Sequence, residues 1–308
     1  MPLAPEYQAM FEELAKQPPA PPLWEMTPEQ GREMYRMMRP VNPDLPIHQV
    51  EDRVIPGTQG DIPVRIYTPE GEGPFGVIVY FHGGGWVIGD LDTCDAVCRE
   101  IATLANLVVV SIDYRMAPEA PYPAAVIDAY DATAWVHQSA SELNTNGKIG
   151  VAGESAGGNL AAVVAQKARD EGGAAVAFQC LLYPVVDTDM SRASYAENGE
   201  GYILETNAMI WFWDTYCPDV SRRAEPAASP LLAPNLANLP PALVVTAEFD
   251  PLRDEGMAYA EALSAAGNQA KGVCYDGMVH DFFATAAAFP SSRVGFMDTV
   301  EALKSHLN

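Results

Sequence analysis

The sequence predicts an α/β protein: a mainly parallel central sheet, helices on both of its faces, and a smaller helical part carried on it. Three observations predict this. Runs such as FGVIVYFH and LVVVSIDY are continuously apolar rather than alternating, as in strands buried on both faces. Helical segments separate these runs, and that alternation favours parallel βαβ units. The chain has 308 residues, 48% of them apolar, enough for one large core.

The elements follow in order. Tyr7, Met10, Phe11 and Leu14 recur at helical spacing. Prolines at 18, 19, 21 and 22 break that segment. Thr27-Pro28-Glu29-Gln30 then reads as a helix start, with Thr27 as N-cap, Pro28 in the first turn and Gln30 closing a capping box. Met34, Tyr35, Met37 and Met38 make this helix apolar on more than one side, and Pro40, Pro43 and Pro46 end it. From about residue 48 the texture changes to strand and then to alternating strand and helix. IPVRIYTP, FGVIVYFH, LVVVSIDY, KIGVAG, FQCLLYP and ALVVTAEFD read as strands, and KGVCYDG as a weaker one. Ala124 to Gln138 and Ala156 to Arg169 read as helices between them. The stretch after YPVVD breaks the alternation and holds a helix after Thr206, rich in aromatic residues. The chain therefore divides into 1–47, 48–187, 188–222 and 223–308.

Composition limits the function classes. Lys and Arg number 18 against 41 Asp and Glu, a net charge of −23. Such a surface repels nucleic acid and anionic membranes. No signal peptide and no apolar run long enough to span a membrane is visible. Five cysteines, an odd number without an export signal, point to reduced thiols and a cytoplasmic location. Cys94 and Cys98 are four apart but lack nearby His or Cys partners, so they read as small buried side chains rather than metal ligands.

Two stretches carry chemistry. In IGVAGESAGGNLAAVVA a strand runs into a helix at Gly153-Glu154-Ser155-Ala156-Gly157, a G-x-S-x-G pattern. A nucleophile on such a turn needs small neighbours, because the backbone folds back sharply. The helix that follows aims free N–H groups and its positive dipole end at the reacting centre. Where such a turn carries a triad, the acid and then the histidine follow the serine in the chain. Of the five histidines only His280 and His306 follow Ser155, and His306 is expected in a frayed C-terminus. Glu248, Asp250, Asp254, Glu255 and Asp276 lie between as candidate acids. Asp250 directly follows a strand, at the sheet end where ligands bind in open α/β folds. The second stretch is VYFHGGGWVIGD, with Gly83, Gly84 and Gly85 in a row. Three adjacent glycines are entropically costly, so close approach of the main chain is expected there. Backbone N–H donors to an oxyanion meet that requirement, each worth about 2.7–4 kcal/mol. The N–H of Ala156, after the nucleophile, completes such a hole.

These residues together resemble the hormone-sensitive-lipase-like family of bacterial carboxylesterases. The matching pieces are HGGGW at 82–86, DYRMAPE at 113–119, GESAGGN at 153–159, DPLRDEG at 250–256 and VHDFF at 279–283. The resemblance implies an α/β-hydrolase core and a two-part helical cap formed by 1–47 and 188–222. It also implies a triad of Ser155, Asp250 and His280, oxyanion donors from the glycine loop and Ala156, and acyl chains of about four to eight carbons. A small-molecule ester is the expected ligand, with no metal or organic cofactor and with a homodimer allowed. The family more often has Asp at position 154 and Gly at 281, where this chain has Glu154 and Asp281.

Plainer roles stand beside these. Asp250 also fits a helix N-cap. His82 reads as a brace for the glycine loop, and Asp113 and Arg115 as a turn fixed by charge. The apolar residues near 34–38 and 209–216 suit either core or pocket, and Met34, Met38, Trp86, Tyr183, Trp211 and Phe212 are the expected pocket lining. Rival readings are an amidase or polar-ester deacetylase, which shares the tetrahedral chemistry, and a non-catalytic receptor on the same fold. Retention of His280 argues against the receptor.

Overall fold

The computed structural model describes residues 2–18 and 20–308, so Pro19 of the proline break lies outside the described residues. The sheet is built from β1 (Gln49–Gly57), β2 (Gly60–Thr68), β3 (Phe75–Phe81), β4 (Leu107–Ile112), β5 (Thr145–Glu154), β6 (Val176–Leu182), β7 (Ala242–Phe249) and β8 (Ala270–Val279). Their order is β1-β2-β4-β3-β5-β6-β7-β8. β2 runs antiparallel to both of its neighbours, and every later pairing is parallel. In the centre Val79 stands beside Val110 of β4 and Val151 of β5.

Helices α3 (Asp95–Ala105), α4 (Ala124–Gln138), α5 (Ala156–Glu171), α8 (Arg253–Ala265) and α9 (Pro290–Leu307) cover the sheet. The strand period of two decides which face each residue serves. Phe75, Val77, Val79 and Phe81 of β3 join the core beneath α4, α5 and α8. Ile78 and Tyr80 join the one beneath α3 and α9. Every residue of β3 and β4 is buried, which is why both read as continuous apolar runs.

The two edge strands differ from the central ones. β1 was not bounded in the sequence, because it pairs only with β2 and is largely unburied, with Pro56 in an edge position. The other edge strand, β8, buries only its last three residues and is accordingly weak in sequence. His306 is not in a frayed terminus: it sits in the last turn of α9, its ring stacked on Phe178 at 4.1 Å, with Leu307 fully buried beside it.

Helices α1 (Pro5–Leu14) and α2 (Pro28–Met38) precede the sheet, and α6 (Ala193–Asn198) and α7 (Thr206–Tyr216) lie between β6 and β7. The expected capping box opens α2: Gln30 N–H donates to Thr27 Oγ1 at 3.3 Å, and Thr27 N–H donates to Gln30 Oε1 at 3.0 Å. Arg32 ties this helix to the core. It donates to Val87 O at 2.8 Å and Ala117 O at 2.9 Å, and holds Glu119 with both terminal nitrogens. Among the described residues no helix is long and apolar enough to cross a membrane, and all five cysteines are unpaired.

Candidate active site

The turn from β5 into α5 carries Ser155 at φ 56°, ψ −117°, a conformation that L-residues rarely adopt. Its neighbours are small because there is no room. A Cβ on Gly153 would lie 2.3 Å from Gly157 O, and one on Gly157 would lie 1.9 Å from Phe81 O. Ser155 N–H donates to Leu182 O at 2.8 Å, which fastens the turn to β6. Asn159, one turn further, donates to Val185 O and Ala228 O at 2.9 and 2.8 Å.

Two other strand ends complete the constellation. Asp250 follows β7 and His280 follows β8. His280 Nε2 stands 3.1 Å from Ser155 Oγ, and Nδ1 stands 2.7 Å from Asp250 Oδ2. The other oxygen of Asp250 accepts from Leu252 N–H at 2.9 Å. Asp250 thus faces His280 with one oxygen and holds the Leu252 N–H with the other; it is not the N-cap of α8, a position that falls to Leu252 without a side-chain cap. Asp250 is fully buried, whereas Ser155 and His280 retain 9% and 7% exposure, enough to meet a ligand. The rival acids are occupied elsewhere. Glu248 accepts from Gly277 N–H, Asp254 from Ser194 N–H, and Glu255 from Val186 and Asp187 N–H. Burial pushes the Glu255 carboxyl well above the usual range. Asp276 is exposed.

The glycine loop follows β3. His82 braces it as expected, with Nδ1 at 2.7 Å from Gly83 O and the ring stacked on Tyr114 at 4.3 Å. Burial lowers the His82 pKa, so the neutral imidazole is favoured. Gly84 and Gly85 have φ of 106° and 59°. A Cβ on Gly84 would meet Ile88 O at 2.1 Å, and one on Gly85 would meet the Phe212 ring at 2.0 Å. The need for glycine therefore comes from the protein's own packing and backbone conformation. Among the described residues the amides of Gly83, Gly84, Gly85 and Ala156 have no protein acceptor. Arg115 holds Asp128 rather than Asp113, with a shortest contact of 2.7 Å.

A cavity of about 950 Å³ opens onto Ser155, His280 and the three glycines. Of the expected lining residues, Met34, Met38 and Phe212 reach its wall. Trp86, Tyr183 and Trp211 do not, and each is corrected. Trp86 is fully buried, stacked on Tyr216 at 4.1 Å. Tyr183 lies behind the site, its ring edge 4.9 Å from His280 and its hydroxyl donating to Glu154. Trp211 packs against the back of Phe212, with ring centroids 5.2 Å apart. Sequence reading missed Tyr7, Met10, Trp24, Arg39 and Leu204, which also line the cavity. Helical spacing had signalled an apolar face for Tyr7 and Met10, but not which surface it covers. Among the described residues, no group of three or more His, Cys, Asp or Glu side chains could hold a metal ion.

A family model described as the alpha/beta hydrolase fold matches residues 78–284. The carboxylic ester hydrolase LipN of Mycobacterium tuberculosis is 45% identical over 274 residues, 86% of this chain and 73% of that protein. An ethyl acetate hydrolase of Pseudomonas putida is 38% identical over 251 residues, 80% of this chain and 79% of that one. Among solved structures, a hyperthermophilic esterase from Pyrobaculum calidifontis superposes with a TM-score of 0.92 at 42% identity, covering 99% of both chains. Matched over this span and at these identities, the chain belongs to the α/β-hydrolase fold family and, within it, to the hormone-sensitive-lipase-like carboxylesterases.

Proposed function

We propose that the protein is a serine carboxylesterase that cleaves short- to medium-chain acyl esters through an acyl-enzyme. One observation carries this reading: Ser155, His280 and Asp250 form a continuous hydrogen-bonded line whose serine end opens into an apolar-walled cavity beside unpaired backbone amides. Ser155 Oγ attacks the acyl carbon while His280 Nε2 takes its proton. The Gly84, Gly85 and Ala156 amides, with Gly83 adjoining them, receive the oxyanion. His280 then protonates the leaving alcohol. Water, deprotonated by His280, releases the acid. Asp250 holds the imidazole in one tautomer and stabilises its cation. No step requires a metal or an organic cofactor.

Residues 1–47 and 188–222 act as a cap over this site. The support is that α2 contributes Met34 and Met38, and α7 contributes Phe212, to the cavity wall. Each acyl CH₂ buried there contributes about 0.8 kcal/mol until the space is filled. For p-nitrophenyl esters kcat/KM is expected to rise from acetate, peak at about four to eight carbons and fall beyond. The series, run beside an emulsion of long-chain triacylglycerol, tests this. A maximum at about sixteen carbons with rapid attack on the emulsion would identify a lipase instead. The ester-cleaving names of the relatives and the intact His280 favour this reading over an amidase or a receptor. A cytoplasmic location accords with the five unpaired thiols.

A further inference from the structure

A charge cluster in the wall of the cavity, formed by Arg39, Glu154 and Asp281, has no part in the mechanism above. Arg39, the first residue after α2, buries its guanidinium between two carboxylates. Nη1 is 3.3 Å from Glu154 Oε1, and Nη2 pairs with Asp281 Oδ2. The Tyr183 hydroxyl donates to Glu154 Oε2 at 3.1 Å and stands 3.4 Å from Asp281 Oδ1. The Tyr35 ring lies 4.5 Å from the guanidinium carbon. Glu154 is 1% exposed and the Arg39 side chain 9%.

The two acids have a special place in the chain. Glu154 immediately precedes Ser155, and Asp281 immediately follows His280. Like charges on these two backbones converge on one cation and one phenol. If Arg39 were absent, two carboxylates would be left facing each other across Tyr183, largely out of water, and buried unpaired charges are strongly unfavourable. Relief would come by separating the serine turn from the histidine turn, which are coupled through a 3.1 Å contact. A planar guanidinium with several donors can bridge two carboxylates, whereas an ammonium is a single point charge.

We propose that Arg39 is a positioning residue that sets the Ser155–His280 spacing, by bridging Glu154 and Asp281 from the end of α2. The pairing explains why this chain carries Glu154 and Asp281 together. It also makes the docking of α2 a condition for a correctly spaced nucleophile and base.

The proposal rests on the esterase reading, and the test separates the two. Wild-type turnover of p-nitrophenyl butyrate and its loss in Ser155→Ala examine that reading alone. Given turnover, four proteins are compared by kcat, KM and the rate of organophosphate labelling of Ser155: wild type, Arg39→Lys, Arg39→Met, and the neutralised triple variant Arg39→Met/Glu154→Gln/Asp281→Gly. The glycine suits position 281, where φ is 68°. Arg39→Met is expected to lose roughly 10–100-fold in kcat and in labelling rate, with KM little changed, because the loss is one of geometry. Arg39→Lys is expected to fall between that variant and wild type. The triple variant, with no charges left to bridge, is expected to return to within about threefold of wild type. Wild-type rates in both single variants would overturn the proposal, as would a triple variant no faster than Arg39→Met. If Arg39→Met does not fold, the proposal still fails on wild-type kcat in Arg39→Lys or on a folded but slow triple variant.

Discussion

Single atoms carry the proposed assignment of the acid. Asp250, Glu248, Asp254 and Glu255 crowd within seven positions of one another, and composition treats them alike. Only Asp250 places an oxygen 2.7 Å from His280 Nδ1; the others hold backbone N–H groups. Asp250→Asn is therefore expected to fold, since the Leu252 N–H still finds an oxygen, but to lose roughly 10⁴ in kcat through the wrong imidazole tautomer. Glu248→Gln, Asp254→Asn and Glu255→Gln should each cost far less. The four variants are ranked by kcat on one short-chain ester, and a worse defect in any of the last three would reassign the acid. Ser155→Ala, expected to lose about 10⁶ in kcat, sets the floor of that comparison.

The glycine loop acts as an element, because its conformation is held from three directions. His82 and Tyr114 support it from beneath, Ile88 closes the turn back onto Gly84, and Phe212 of α7 lies against Gly85. The segment between β6 and β7 therefore does more than wall the cavity: it presses on the loop that presents the amides. Gly85→Ala would place a methyl 2.0 Å from the Phe212 ring, at a residue with φ 59°. It is expected to lower kcat by at least about 10², the scale of losing one oxyanion donor. Gly172→Ala is the control, with φ 67° and nothing within 4 Å of the new methyl. It should cost roughly 1–2 kcal/mol in urea unfolding, the left-handed strain alone, and leave kcat unchanged. Equal kcat in the two variants would mean that the loop's position does not matter to the reaction.

For the whole molecule the dominant electrostatic fact is 41 acids against 18 Lys and Arg. Most of the basic residues are spent in ion pairs, many at the surface, where a pair contributes little. The remaining negative charge repels itself and destabilises the compact state. Raising NaCl from about 20 to about 500 mM shortens the Debye length to a few ångströms and should raise Tm at neutral pH. A lower Tm in salt would show that the ion pairs outweigh the net repulsion. The same field disfavours approach to anionic lipid, which accords with the proposed preference for dispersed small esters.

Order along the chain was enough to place the central strands, the serine turn and the glycine loop, and to single out His280 as the candidate base. Each depends on local chemistry: continuous apolar runs, glycines where a Cβ would collide, and a nucleophile at a strand end. The edge strands were faint because most of β1, and all of β8 before its last three residues, stays outside the fully buried core, so their residues need not be apolar. Tertiary structure alone decided which large side chains touch the cavity. Trp86 and Trp211 look as suited to a pocket as Phe212, but aromaticity does not state which way a ring faces, and both are turned into packing. It alone also revealed Arg39, which meets Glu154 across 115 positions of sequence. A buried charge is specified by whatever the fold brings to it, and periodicity carries no record of a partner that distant.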